Sequence, residues 1–285
     1  MKTFSISELE HITGIKAHTI RVWERRYNVF SPSRTAGKSR VYNTDDLFKA
    51  LQISLLSKGG FRISHLARLS PEKLHLLAEG MKGDGERQQK AVNNLLVFMH
   101  ALDTEKFEAL IDECYALWSA DAVFHEVIYP FLQKTGLFWR GNRLTEEHLV
   151  VTIIRSKIIA GIERLRPREK DEKTIVLFLP EKGQLDLLLL YTHYMVKRKG
   201  CSVIYMGNDI ANSNLKTIIE IKKPDVLFTY LLPKSKMNIP ELAGFLPPGS
   251  QLIIAGDPDR KPIDPMQKNV LFLEYRKALS ILCDE

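Results

Sequence analysis

Cysteine is scarce in this 285-residue chain, and Cys114, Cys201 and Cys283 stand far apart with no C-x-x-C pair. That spacing suggests neither a disulfide framework nor a cysteine-ligated metal site. Long apolar runs are also missing: the longest, LDLLLLYTHYMV, contains Asp186 and is too short to span a bilayer. The amino terminus shows no charged-then-apolar leader, so the expected compartment is the cytoplasm, with no membrane partner. Glycine-rich phosphate loops are lacking, since Leu179 to Gly183 holds one glycine where a dinucleotide fingerprint needs three. Where a parallel sheet would present a ligand there is no nucleophile with a base, no pair of carboxylates and no metal cluster, so no enzyme is expected. Asn208 and Asp209 form the only well-placed polar pair in those loops, and they read as a turn.

What the chain does carry is positive charge, unevenly placed. The net charge is +7, and residues 1 to 70 hold 12 Lys and Arg against 5 Asp and Glu, while the remainder balances at 29 and 29. A small basic head on an electrically neutral body is what a DNA-binding module attached to a regulatory portion shows, because phosphate neutralisation drives affinity. The head itself opens on FSISELEHITG. Ser5 and Glu8 form a capping box, Ile6, Leu9 and Ile12 repeat at helical spacing, and Gly14 ends the helix. A second helix, Ala17 to Arg26, crowds Arg21, Arg25 and Arg26 onto neighbouring faces, which is costly without an anion. Helix, tight turn and basic helix is the helix-turn-helix order, whose second helix enters the major groove. Trp23 reads as core, because one face of that helix must pack on the first. Pro32, Gly37 and Lys38-Ser39-Arg40 then lie between Phe30 and Val41-Tyr42, as in a β-hairpin wing that holds phosphates.

The order ISELEHITGIKAHTIRVWERRY, a Pro-Ser-Arg wing and GKSRVYNTDDL resembles the winged-helix head of MerR-family transcription regulators over about the first 70 residues. The resemblance implies a double-stranded DNA partner at a pseudo-palindromic promoter site, a homodimer or tetramer, and RNA polymerase as a further partner. By position it implies DNA contacts from His18, Thr19, Arg21 and Arg25 of the helix and from Arg34, Lys38, Arg40 and Tyr42 of the wing. Metal-sensing members resemble this head but use clustered cysteines, which are not present here.

Periodicity divides the rest. Thr44, with Asp45 and Asp46, is expected to cap a helix running to about Lys58, and Gly59-Gly60 to stop it; a short helix from Ile63 and a Ser70-capped helix with Pro71 at its start follow. Four helices are expected over 87–101, 104–118, 121–138 and 145–166, with Thr104 and Thr145 as caps and a kink at Pro130. Beyond the charged run around Pro167, apolar strands alternate with helices from Thr174 to the end, the pattern of a doubly wound parallel sheet. The expected fold class is multidomain α and α/β. It comprises a winged helix-turn-helix head over 1–82, a four-helix bundle over 86–168 and a Rossmann-like doubly wound parallel sheet over 172–285.

That order, behind such a head, resembles the cobalamin-binding, light-responsive MerR-type repressors. GLFWRGNRLTEEHLVVTIIRSKI resembles their bundle motif of a Trp followed by Glu-His over the upper face of cobalamin, which implies Trp139, Glu147 and His148 as cofactor contacts; the spacing is two residues shorter than usual. For Glu147 and His148, an upper-face site, a hydrogen-bonded interior pair and plain first-turn polarity all stay open. The departure follows the first strand of the sheet. Cobalamin domains resemble one another in an acidic-x-His-x-x-Gly motif, and the matching positions here are Gly183, Leu185 and Leu188. Leucine has no lone pair for cobalt, so the axial ligand is absent together with the residues that orient it. His193 lies two turns on and rotated away, and reads as an ordinary surface or packed histidine. Ala255-Gly256 stands where the resemblance has Gly-Gly. The leading expectation is a DNA-binding regulator with a degenerate cobalamin-binding-like body for sensing or oligomerisation. Its rivals are a true cobalamin sensor, a protein-binding anti-repressor and a Rossmann-type enzyme.

Overall fold

Ser5 turns extended β1 (Phe4–Ser5) into α1 (Ile6–Thr13): its side chain accepts from Glu8 N while Glu8 accepts from Ser5 N, satisfying two donors that the first turn would leave bare. Gly14 closes α1 in the left-handed region at φ 75°, which only glycine adopts without steric cost. In the computed structural model, residues 3–34, 39–135, 145–165, 173–181, 185–231, 235, 237–256 and 269–283 are described. The chain divides into two compact units, Met1–Val150 and Val151–Glu285. The expected boundary near residues 83–85 therefore falls inside the first unit.

In the first unit, α2 (Ala17–Tyr27) follows the tight turn, and β2 (Ser33–Arg34) and β3 (Arg40–Tyr42) form the wing. The wing is a three-stranded antiparallel sheet in the order β1-β3-β2, with Phe4 opposite Tyr42 and Ser33 opposite Val41. The third strand, β1, was not anticipated, since two residues are too few for alternation to register. α3 (Thr44–Lys58) is capped by Asn43, whose side chain accepts from Asp46 N at 2.8 Å, and not by Thr44 as the sequence suggests. It buries Leu47, Leu51 and Leu56, each at most 1% exposed. Burial of this kind stabilises by about 1.5–3 kcal/mol per side chain. Two short helices, α4 (Ile63–Leu66) and α5 (Pro71–Glu79), lead to α6 (Asp84–Ala101) and α7 (Thr104–Leu117), the last capped by Asp103 rather than Thr104.

The next helix starts as α8 (Ala120–Ala122), widens into a π-helical turn over Val123–Ile128 and continues as α9 (Tyr129–Thr135). Pro130 has no N–H to return to the preceding turn, and Tyr129 N bonds to Phe124 O, five residues back. Where a kink is expected at Pro130, the chain thus carries a π-turn just ahead of the proline. α10 (Thr145–Arg164) begins in the first unit and ends in the second.

The second unit is a parallel sheet in the order β5-β4-β6-β7-β8. Its strands are β4 (Thr174–Phe178), β5 (Ser202–Gly207), β6 (Val226–Tyr230), β7 (Gln251–Ala255) and β8 (Val270–Leu273), connected through α11 (Asp186–Lys199), α12 (Asn212–Lys222) and α13 (Ile239–Gly244) and closed by α14 (Tyr275–Cys283). Alternate strand residues face opposite sides. Val176, Phe178, Leu227, Leu252 and Ile254 form one core with Leu215, Ile219 and Leu242 of α12 and α13, while α11 and α14 pack together on the sheet. Strand order reverses between β4 and β6, the switch point where such sheets place ligands. Asp209 adopts φ 64°, the left-handed conformation of the turn expected at Asn208-Asp209.

Candidate nucleic-acid interface

Two carboxylates shape the head: Glu10 satisfies a backbone donor at the start of α2, and Glu24 ties the wing's side chains to that helix. Lys16, at the start of α2, makes no side-chain cap; Glu10 of α1 reaches across instead and accepts from Ala17 N at 3.1 Å and from Lys16 Nζ at 3.2 Å. The backbone bond to Ala17 and then the Lys16 bond hold the Glu10 carboxyl below its ordinary range. Behind the turn, Thr13 Oγ1 donates to Leu9 O at 2.6 Å and accepts from Ile15 N at 3.2 Å, and Ser54 Oγ of α3 donates to Thr13 O at 2.8 Å. Ile20 is the fully buried residue of α2. The recognition helix is thus anchored at its first turn by one carboxylate and along its length by one isoleucine.

Glu24 organises the other end. It accepts from Arg40 Nε of β3 at 2.9 Å and from the Tyr42 hydroxyl, pinning the wing to α2. Burial, then the hydrogen bond to Glu24, pushes the Tyr42 hydroxyl well above the usual phenol range, while Arg40 and Arg21 pull it down. Both guanidiniums therefore lie close to the same hydroxyl. Arg25 is one turn from Arg21 on the same face. The Arg40 side chain keeps 35% exposure, and its Nε bond to Glu24 leaves its remaining donors for an anion.

His18, Arg21 and Arg25 are exposed on α2, Arg34 is exposed on β2 and Thr19 is half-buried. Lys38 lies outside the described residues. Tyr42 departs from its expected role: it is 0% exposed and packs edge-on against Phe30 at 6.2 Å, so it supports the wing from within and does not itself reach DNA. Trp23, expected in the core, is only half-buried, because Ile20 takes that place. Glu24 was overlooked; the signal was one acid set among three arginines in a single helix, a charge that needed a partner from elsewhere in the fold.

Glu147 and His148, two of the residues expected to touch cobalamin, lie in the first turn of α10. Trp139 and Gly183 lie outside the described residues. Glu147 is 2% exposed, whereas His148 is exposed, so the two neighbours face different ways on α10. In the second unit, Leu185 and Leu188 are 8% and 5% exposed at the start of α11. Below them Thr192 Oγ1 donates to Leu188 O at 2.9 Å and shares a 2.7 Å hydrogen bond with the Tyr230 hydroxyl. Tyr230 in turn packs on Phe228 at 5.1 Å and Tyr275 at 5.8 Å. Arg155 pairs with Asp186 in the first turn of α11. His193 stacks on Tyr205 at 5.3 Å, and burial, then Lys197, pushes its ring down to about 4. A corrinoid held from below by histidine does not fit these residues. The position that the resemblance assigns to the axial histidine is Leu185, and on α11 the Thr192 hydroxyl is bonded to that of Tyr230.

Residues 4–73 match the MerR HTH family regulatory protein family. The chain is 26% identical over 232 residues, 79% of its length and 77% of the relative's, to the HTH-type transcriptional repressor CarH of Myxococcus xanthus. It is 25% identical over 230 residues, covering 79% of this chain and 75% of the other, to the HTH-type transcriptional repressor CarA of the same organism. Among solved structures, the monomethylamine corrinoid protein of Methanosarcina barkeri aligns with a TM-score of 0.55 at 14% identity, over 69% of this chain and 99% of that one, a likeness of fold. The winged helix and the matched residues define a DNA-binding transcription regulator. Its head, over residues 4–73, is of the MerR type, and its body is cobalamin-binding-like in fold.

Proposed function

We propose that the chain reads a pseudo-palindromic operator as a homodimer or tetramer, acts from the cytoplasm as a repressor, and performs no catalysis of its own. Recognition helices of two heads enter successive major grooves, with His18, Thr19, Arg21 and Arg25 toward the bases and phosphates. Arg34, Lys38 and Arg40 grip flanking phosphates from the wing. Glu24 is the positioning residue that presents Arg40 beside the helix. The observation that carries this reading is the exposed arginine face of α2, with the wing arginine tied next to it, on a head that holds the chain's entire charge surplus. Repression is supported by the names of the two relatives, and RNA polymerase is the partner whose access a bound dimer would govern. The body tunes assembly without histidine-ligated cobalamin. Fluorescence anisotropy on duplex DNA tests the reading: replacing Arg21 by alanine weakens operator binding by about 1–3 kcal/mol. Equal affinity of Arg21→Ala and the parent chain would remove the helix from the interface.

A further inference from the structure

Inside the first unit a cavity of about 200 Å³ lies beside α1, α6, α9 and the first turn of α10. Its floor is apolar: Phe4, Leu96 and Met99 are at most 2% exposed. Lys134 of α9 enters the wall, and its Nζ donates to Ile12 O at 2.5 Å. Among the described residues no carboxylate pairs with this ammonium. Burial pushes it down to about 8, and neighbouring Lys58 pushes the same way. The two glutamates that line the cavity do not answer it: Glu8 is engaged at the rim by Ser5 N and Oγ, both at 2.8 Å, and neither it nor Glu147 is among the groups that act on Lys134. A partly buried cation facing apolar space without a counter-ion is costly, and the arrangement is completed by an anion that has an apolar body.

We propose that this cavity binds a small organic monoanion, a carboxylate on an aliphatic or aromatic body of about ten non-hydrogen atoms, with the carboxylate on Lys134 and the body on Phe4, Leu96 and Met99. The size is right, since a cavity of roughly 150 Å³ accepts benzene, and this one leaves space for a charged substituent. The position gives the ligand leverage. Ile12 lies in the last turn of α1, two residues before the Gly14 that opens the turn into the recognition helix. An anion that takes Lys134 competes with the Ile12 carbonyl for it and loosens a strap on that turn. This consequence rests on the DNA-binding reading above; the binding itself does not.

Calorimetry on the full chain tests the proposal with sodium benzoate as the probe and benzyl alcohol as its neutral counterpart. Benzoate is expected to bind at least about tenfold more tightly than the alcohol, and Lys134→Met to erase the difference. Benzoate affinity falls as pH rises through about 8 and the ammonium discharges. The other charged or titratable groups facing the cavity or the ammonium are Glu8 and His11 on α1, Lys58 on α3, His100 on α6 and Glu147 on α10. All are common to the parent and the Lys134→Met chain, so the difference between the two pH profiles isolates Lys134. Equal affinity for the two probes, no binding of benzoate at about 10 mM, or undiminished benzoate binding by a folded Lys134→Met chain would overturn the site. Should that variant not fold, the two probes on the parent chain decide. Anisotropy on duplex DNA, run with and without benzoate, reads the coupling separately, so failure of the head to bind DNA leaves the calorimetric result standing.

Discussion

The head and the sheet unit have diverged in opposite ways from the folds they resemble. In the head His18, Arg21, Arg25 and Arg34 are exposed, and an acid of the same helix, Glu24, bonds the wing's Arg40. In the sheet unit the parallel strand order has the switch point of such folds, yet Leu185 stands where the resemblance has a histidine, buried like Leu188 and the bonded Thr192–Tyr230 pair. A parallel sheet needs only apolar strands and right-handed crossovers, so it does not depend on which residue stands at position 185. Histidine ligation of a corrinoid needs a nitrogen at one particular place, and Leu185 has none to offer. The fold by itself therefore does not carry the function.

The largest expected effect breaks the head side of that contrast: Arg21→Ala with Arg25→Ala weakens duplex binding by roughly 2–6 kcal/mol in anisotropy titrations and leaves far-ultraviolet circular dichroism unchanged. Next, His193 sharpens the sheet side through pH. Its folded-state value, about 4, lies below the ordinary 6.5 because burial opposes the charged ring. The unfolded chain therefore takes up the proton first, and stability present above pH 6.5 is lost as pH falls toward 4, by up to about 3 kcal/mol. Urea denaturation of the parent chain and of His193→Gln should diverge in that window, and parallel curves would show that the ring is not withdrawn from water. Smaller again, Glu24→Ala leaves the buried Tyr42 hydroxyl without its acceptor and costs about 1–3 kcal/mol of head stability by chemical denaturation. The smallest effect is a null one. Leu185→His on its own yields protein that carries no corrin absorbance through gel filtration, because the residues that would orient the new ring are absent, Leu188 standing in their motif; a coloured protein would mean that the site lacks only its histidine.

Most elements were legible in the sequence because they rest on local rules. α12 and α14 occupy Asn212–Lys222 and Tyr275–Cys283, as their apolar periodicity and flanking breakers indicate, and the Ser5–Glu8 and Ser70 caps are found at their expected places. Two caps moved by one residue, to Asn43 and Asp103, where an amide or carboxylate next to a threonine competes for the same backbone donor and wins. What stayed hidden depends on distant pairing. β1 exists only through β3, the inward turn of Tyr42 depends on an acid eighteen residues away, and the Lys134–Ile12 strap joins residues 122 apart. Of the interface, the exposed arginines could be read from charge and spacing, whereas the carboxylate that arranges them could not.

The salt dependence of duplex binding by the intact chain tests the basic head most directly. Anisotropy titrations over a range of monovalent salt should give a linear fall of log K with log salt, losing about one unit of slope for each of Arg21, Arg34 and Arg40 replaced by alanine. A slope near zero, or one that all three replacements leave unchanged, would contradict the claim that the basic head grips DNA phosphates.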